Sequence, residues 1–211
     1  MKAVRLWVAD GDLTGYSSGL IYLSEFSMSA AIASVVEQQV RAWLDDFVVG
    51  LNLCPFARPV VASAEMRISI CESDQLRPVA ESFMAELELI AQSPESDIAT
   101  SLLVLPNALT DFEEYLSFVE NAEDLIEEMD LVGIIQLASF HPDYLFAGEP
   151  PESASHFTNR SPYPLIHFLR ETMMNRVLEN FPNPEAIPQR NIQTLQAIGR
   201  SGIEKRWHSL K

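Results

Sequence analysis

Apolar residues recur at every third or fourth position in three segments of the chain, which is the spacing that lets one face of a helix meet a hydrophobic core. This pattern predicts helices over residues 32–48, 76–92 and 110–129. Two more helices are expected, one over residues 161–180 after the pair Ser161-Pro162 and one over residues 189–198 after a cluster of prolines. Three other segments alternate or run continuously apolar, as buried strands do. These predicted strands cover residues 66–71, 99–105 and 132–140.

The order of the predicted elements is α-β-α-β-α-β-α-α. Strands that are separated by single helices favour parallel pairing through right-handed crossovers. We therefore predict an α/β fold with a small, mainly parallel three-stranded sheet packed with helices. An α+β fold, in which one strand is antiparallel, is the alternative.

End signals accompany three of the predicted helices. Thr110 and Glu113 have the spacing of a capping box, and Gly50 stands where a helix-terminating glycine is expected. Ser161 and Pro162 have the form of an N-cap followed by proline at the first helical position. A helix is therefore expected to begin at Ser161.

The helix predicted over residues 76–92 has one apolar face and one acidic face. Phe83 lies in the apolar stripe, so Phe83→Ala is expected to cost about 3 to 5 kcal/mol. Glu86 is assigned to the solvent-facing side, where a substitution by alanine changes stability by about 0.5 kcal/mol at most.

Residues 1–28 precede the amphipathic pattern and begin with Lys2 and Arg5. Asp10 and Asp12 interrupt any apolar signal region, so a secretory signal is not expected. We interpret residues 1–28 as an N-terminal extension, with a natural start at Met28 as a hypothesis. Residues 29–211 are predicted to form a single globular domain.

Composition narrows the class of protein further. With 47% hydrophobic residues among 211, the chain can bury a core, which excludes a fully disordered protein. No apolar run reaches the roughly 18 residues that a membrane span needs. The two cysteines are too few for a disulfide scaffold. We expect a cytoplasmic protein without a membrane partner.

The net charge of −16 is concentrated in the middle of the chain, where residues 72–130 hold 16 acidic residues and one basic residue, Arg77. Two predicted helices cover most of this segment, so the acidic residues are interpreted mainly as solvent-facing positions; an acidic docking surface is the alternative. Because an acidic surface repels phosphate backbones, no nucleic-acid partner is expected.

Polar residues that could do chemistry lie where apolar elements end. Cys54 follows the first predicted helix and precedes Pro55. His141 and Asp143 follow the last predicted strand, at the edge where parallel sheets bind ligands. Both Cys54 and His141 are followed by proline, which stiffens the chain as it leaves the element. We expect Cys54 and His141 to line the same pocket.

A third group surrounds the helix expected to begin at Ser161. Asn159 and Arg160 precede this helix, and His167 and Arg170, three residues apart, would share one of its faces. Free backbone N–H groups at a helix start bind anions. This group is therefore predicted to bind a small anionic molecule, and an N-cap with Arg160 paired to a surface carboxylate is the alternative.

Four stretches carry a resemblance to a known family. They are GLNLCPFA (50–57), SFHPDYLFAG (139–148), NRSPYPLIHFLRE (159–171) and IPQRNIQTLQAIG (187–199). In these stretches the chain resembles a mainly bacterial family, domain of unknown function 1415, from about residue 30 to residue 200. The resemblance implies no reaction, but it favours as site residues those that fall in these motifs: Cys54, His141, Asp143, Asn159, Arg160, Ser161, His167 and Arg170.

These residues allow an enzymatic interpretation. In a hydrolase or transferase that acts on a small anionic metabolite, Cys54 would be the nucleophile and His141 the base that Asp143 orients. Arg160 and the helix start at Ser161 would hold the anion. No known nucleophile signature is present in the chain.

Two other interpretations remain open. A metal- or haem-binding protein would use Cys54 with His141, His156 or His167, although the chain has no local CxxC or HExxH spacing. A non-catalytic module would use the motifs for packing and the acidic helices for a protein partner. The sequence assigns no cofactor and no oligomeric state.

Overall fold

The computed structural model describes residues 16–210, and the side chains of residues 30–210. The chain divides into two units between Val35 and Val36. Within the first unit, the described residues are helical. Residues 1–15 and the side chains of residues 16–29 lie outside the described range. The extension 1–28 and the natural start at Met28 therefore stay predictions.

The described residues form seven α-helices and four strands. In chain order these are α1 (Tyr16–Trp43), α2 (Ala57–Val61), β1 (Met66–Ile70), α3 (Leu76–Gln92), β2 (Thr100–Val104), α4 (Phe112–Glu128), β3 (Ile135–Phe140), β4 (Leu165–Arg170), α5 (Glu171–Glu179), α6 (Ile187–Ile198) and α7 (Arg200–His208). A π-helix, Leu44–Val49, extends α1, and short 3₁₀ turns cover Ala154–Thr158 and Pro184–Ala186.

The four strands form one sheet in the order β1-β2-β4-β3. Only β1 and β2 are parallel; β4 is antiparallel to both β2 and β3. The sheet is therefore mixed and four-stranded, and the prediction of a mainly parallel three-stranded sheet is wrong. The alternative of an α+β fold with an antiparallel strand fits this arrangement.

The helix predicted over 161–180 is wrong in its first half, because Leu165–Arg170 forms β4. Ser161 caps no helix; its hydroxyl donates to the carbonyl of Tyr163 at 2.6 Å. Pro164 disfavours the helical region for the residue before it. As a strand with neighbours on both sides, β4 is apolar on both faces, and a short run of that kind has no distinct period.

Each face of the sheet carries its own core. On one face α3 and α4 pack with residues such as Val79, Phe83 and Tyr115. On the other face the end of α1, the π-helix and residues of α6 and α7 pack around Trp43, Phe47 and Leu195. The predicted apolar stripes of α3 and α4 are confirmed by these contacts.

Glu86 is not at the surface, so its assignment to the solvent-facing side of α3 is wrong. It is 5% exposed, and Arg67 of β1 donates three hydrogen bonds to its carboxylate, at 2.8, 3.0 and 3.1 Å. Ser101 of β2 donates another at 2.7 Å. Burial raises the pKa of this carboxyl, but the hydrogen bonds outweigh burial and leave the pKa below its ordinary value.

Gly50 follows the π-helix in a right-handed conformation, with φ −65°, so it does not end the helix through the left-handed geometry expected of a terminal glycine. Its role is steric. A Cβ atom at this position would lie 2.3 Å from the carbonyl oxygen of Asp46.

The N-cap of α4 is Asp111 and not Thr110. The Asp111 carboxylate accepts hydrogen bonds from the backbone N–H groups of Glu113 and Glu114, each at 3.0 Å. The acidic residues of α4 are exposed, as predicted for a solvent-facing side.

Candidate functional site

A cavity of about 230 Å³ lies on the sheet face opposite α3 and α4. Its floor consists of side chains from β2, β3 and β4 that point to the same face: Thr100, Leu102, Ala138, Phe140, His167 and Leu169. Leu102 and Ala138 are the cross-strand partners of His167 on its two sides. His167 therefore stands at the centre of the floor.

The walls of the cavity come from segments outside the sheet. Trp43, Leu44 and Val48 lie on the α1 side, Met173 and Met174 on α5, and Cys54 and Phe56 on the loop before α2. Among the described lining residues there is no Asp, Glu, Lys or Arg. Cys54, Thr100 and His167 are among the lining residues with polar side-chain atoms.

The loop that carries Cys54 is held in place by α6. Asn191 donates from its side-chain amide to the carbonyl of Leu53 at 2.7 Å, and Arg190 donates to the carbonyl of Asn52 at 3.0 Å. The carbonyl of Cys54 itself accepts from the N–H of Ala57 at 3.2 Å, which begins the turn into α2. Two of the motif stretches, 50–57 and 187–199, thus meet at the cavity wall.

The thiol of Cys54 is not activated. It is partly buried, and burial raises its pKa above the ordinary value, against smaller opposing effects of the nearby backbone and Arg190. Within the described part of the chain, no hydrogen bond joins it to His167. A protonated thiol is therefore expected at neutral pH.

His167 is paired with Thr100 across the cavity floor. Its Nε2 lies 2.6 Å from the hydroxyl oxygen of Thr100. Burial lowers the pKa of this imidazole to about 4, so the ring is neutral at pH 7. The predicted helical face shared by His167 and Arg170 does not exist, because residues three apart on a strand point to opposite faces.

His141 does not line this cavity. It is fully buried, its Nε2 lies 3.1 Å from the carbonyl oxygen of Leu109, and the rings of Phe112 and Tyr115 pack within about 5 Å. Its Nδ1 accepts a hydrogen bond from the backbone N–H of Asp143 at 3.0 Å. The contact is made by the backbone of Asp143. Its exposed carboxylate is not the group that bonds to the ring nitrogen.

Burial also lowers the pKa of His141, against weaker opposing effects of the Leu109 carbonyl and nearby carboxylates. Because both ring nitrogens have partners within the protein, His141 holds together the segment that follows β3. The structure does not bring His141 and Cys54 together in the cavity, where the sequence predicted that they would share a pocket.

The residues predicted to surround a helix start instead make contacts with the backbone. Asn159 donates to the carbonyl of Ser139 at 3.1 Å. Arg160 donates to the carbonyl of Tyr144 at 3.3 Å, and its guanidinium lies 4.8 Å from the ring centre of Phe157. Because β4 and not a helix follows, the N-terminal N–H groups on which the anion site depended are not present.

Arg170 is also engaged with the backbone. It is 9% exposed, and its guanidinium donates to the carbonyls of Ser93 and Ile98 at 2.6 and 2.9 Å. It thereby ties the end of β4 to the loop between α3 and β2.

Comparison with known families covers nearly all of this architecture. The profile of the family described as "Protein of unknown function (DUF1415)" matches residues 35–205. The chain belongs to this family. The match includes every strand and the whole lining of the cavity, so the cavity is a feature of the DUF1415 region. No curated protein and no solved structure matches the chain.

Sequence reasoning missed most of the DUF1415 cavity. Thr100 and Ala138 carry no signal as isolated residues, because they belong to apolar segments that are typical of a buried core, and Met173 lies in a segment predicted as a helix. The one available signal was a histidine within an apolar run, Leu165–Leu169, where a core residue is expected. The assignment of this run to a helix concealed that His167 lies within the sheet and faces the cavity.

Two further findings concern ligand classes. No group of three or more His, Cys, Asp or Glu side chains among residues 30–210 is placed to hold a metal ion. None of the helices in the described range combines the length and the hydropathy that crossing a bilayer requires.

Proposed function

We propose that the DUF1415 region binds a small, uncharged and mainly apolar molecule in the cavity on its sheet face. The observation that carries this proposal is the lining: mainly apolar side chains with a few polar groups, among them Cys54, Thr100 and His167, which are uncharged at pH 7. Burying a charged ligand in such surroundings would be costly, whereas an apolar ligand exchanges water for matching contacts.

The volume sets the size of the ligand. An apolar cavity of about 150 Å³ is large enough to bind benzene, and drug-sized ligands occupy roughly 300 to 1,000 Å³. At about 230 Å³ the cavity suits a molecule of one substituted ring or a chain of similar volume. The small anionic metabolite expected from the sequence receives less support, because the cavity offers it no cation.

The test is a titration of the full chain with p-xylene, followed by backbone amide NMR and by thermal unfolding. We expect shifts that cluster at cavity residues and a rise in melting temperature by mass action. Ala138→Leu, which places three more carbons over the floor, should abolish both effects. Ala80→Leu, at an exposed position of α3, adds the same atoms elsewhere and should leave both unchanged. Equal binding by all three proteins would refute the proposal.

A thiol-dependent transfer reaction is the second candidate, because Cys54 and His167 line the same cavity. Chemistry at this thiol would need a base that removes its proton as the substrate binds. Its test is the rate of modification by N-ethylmaleimide at several pH values, followed by mass spectrometry. A catalytic thiol would react well below the ordinary pKa of cysteine; we expect slow reaction at pH 7 and protection of Cys54 by p-xylene.

A further inference from the structure

The hydroxyl of Thr100 has two neighbours and one proton. It lies 2.7 Å from the carbonyl oxygen of Phe168 and 2.6 Å from Nε2 of His167. A carbonyl oxygen can only accept, so the hydroxyl proton must point to Phe168. The remaining contact requires the hydroxyl oxygen to accept from His167.

His167 therefore carries its proton on Nε2. A neutral imidazole has one N–H group, so its other nitrogen, Nδ1, presents a lone pair. Burial keeps the ring neutral at pH 7. Thr100 and the Phe168 carbonyl together select one tautomer.

Nδ1 of His167 has no hydrogen-bond partner among the described residues. The only fully buried side-chain nitrogen or oxygen without a partner, in the same part of the chain, is Oδ1 of Asn191. Nδ1 must therefore retain accessible surface, and His167 lines the cavity. An acceptor of this kind, surrounded by apolar side chains, favours an occupant that satisfies it.

We infer that the ligand carries one hydrogen-bond donor, a hydroxyl or an uncharged N–H on an otherwise apolar body, which it donates to Nδ1 of His167. This inference rests on the proposed function, since it names the chemistry of the molecule that fills the same cavity. It also gives the site a preference. Ketones, ethers and other ligands with acceptors only would bring a lone pair against a lone pair.

The test compares two ligands of nearly equal shape, p-cresol and p-xylene, in the wild type and in His167→Phe. The variant keeps a ring at this position and removes both nitrogens, while Thr100 can still donate to Phe168. We expect the ratio of the two dissociation constants to change by about tenfold in favour of p-xylene when the imidazole is lost. Taking this ratio cancels the different hydration of the two ligands.

The outcomes separate the two proposals. If p-xylene binds in the cavity but the ratio is the same in both proteins, the donor inference is overturned and the proposed function stands. If neither ligand binds the wild type, the proposed function fails and the inference fails with it.

Nitrogen-15 NMR of the wild type tests the inference without any substitution, so its result does not depend on the folding of a variant. We expect His167 to show a protonated Nε2 and an unprotonated Nδ1, and the Nδ1 signal to move with p-cresol more than with p-xylene. A protonated Nδ1 at neutral pH would overturn the inference.

Discussion

Two histidines of this chain have their pKa lowered by burial, yet they differ in what their second nitrogen meets. Both nitrogens of His141 are within hydrogen-bonding distance of backbone groups, so this ring has no capacity left for a ligand. Nε2 of His167 is hydrogen-bonded to Thr100, and Nδ1 has no partner within the described residues. At the residue scale, the number of partners separates a structural histidine from a candidate binding residue.

His167 should make stability depend on pH. Its pKa is about 4 in the folded chain and about 6.5 in the unfolded chain, so below 6.5 the unfolded state takes up a proton first. Stability is then lost as the pH falls from 6.5 toward 4. We expect wild type to lose about 2 to 3 kcal/mol more than His167→Phe between pH 7 and pH 4.5.

Urea unfolding of both proteins at the two pH values measures this difference. His141 and the carboxylates contribute to both proteins alike, so they cancel. Parallel pH profiles would show that His167 titrates normally in the fold.

Glu86 should matter to stability although it lies in an acidic helix. Removing its carboxylate leaves the buried hydroxyl of Ser101 and the half-exposed guanidinium of Arg67 without their common acceptor. We expect Glu86→Ala to cost about 1 to 3 kcal/mol, against less than about 0.5 for Glu88→Ala, which is exposed on the same helix. Denaturant titration measures the free energy of unfolding of both variants. Equal losses would contradict the burial of Glu86.

At the scale of elements, the sequence predicts secondary structure correctly where one face of an element is buried and the other is exposed to solvent. This holds for α3 and α4, whose periodicity predicted them correctly. It failed for β4, because Leu165, Ile166 and Phe168 are all fully buried and leave no period to detect. The same error misplaces the predicted anion site, because Arg160 and Ser161 are expected at a helix start that is absent.

The cavity could not be predicted for a related reason. Its floor comes from three strands whose order in the sheet, β2-β4-β3, differs from their order along the chain. Cys54 and His167 were both chosen from the sequence as site residues, but nothing in it showed that they line one space.

The end of the π-helix offers a local test of the fold. Gly50→Ala places a Cβ atom against the Asp46 carbonyl, a backbone atom that cannot move without disturbing the helix. We expect a loss of roughly 1 to 3 kcal/mol. Gly202→Ala, within α7, meets only the side chain of Ile198 and should be neutral or stabilising by up to about 1 kcal/mol. Thermal unfolding measures both, and equal effects would contradict the close approach at Gly50.

At the scale of the whole molecule, charge is distributed unevenly. α4 carries acidic residues at its first turn and has no basic residue in its last turn, where the helix dipole favours positive charge. Acidic residues four apart, such as Glu123 and Glu127, repel each other along its exposed side. The acidic middle of the chain therefore reduces stability at low salt.

Reversing one of these charges should show the effect. Glu127→Lys pairs with Glu123 and suits the end of the helix, so we expect the melting temperature to rise by about 1 to 3 °C at low salt. Glu113→Lys changes the net charge by the same amount but lies in the first turn, and it should lower the melting temperature. A rise in both variants would mean that net charge alone matters.

The position of β4 between β2 and β3 bears on how the chain acquires its structure during synthesis. β3 pairs only with β4 among the described strands, so it has no neighbour until residues 165–170 have left the ribosome. A nascent chain that ends before residue 165 exposes the edges of β2 and β3 together with their apolar faces, which are then open to association with other chains. The sheet is thus completed only after β4 has been synthesised, and the cavity, whose floor includes β4, forms with it.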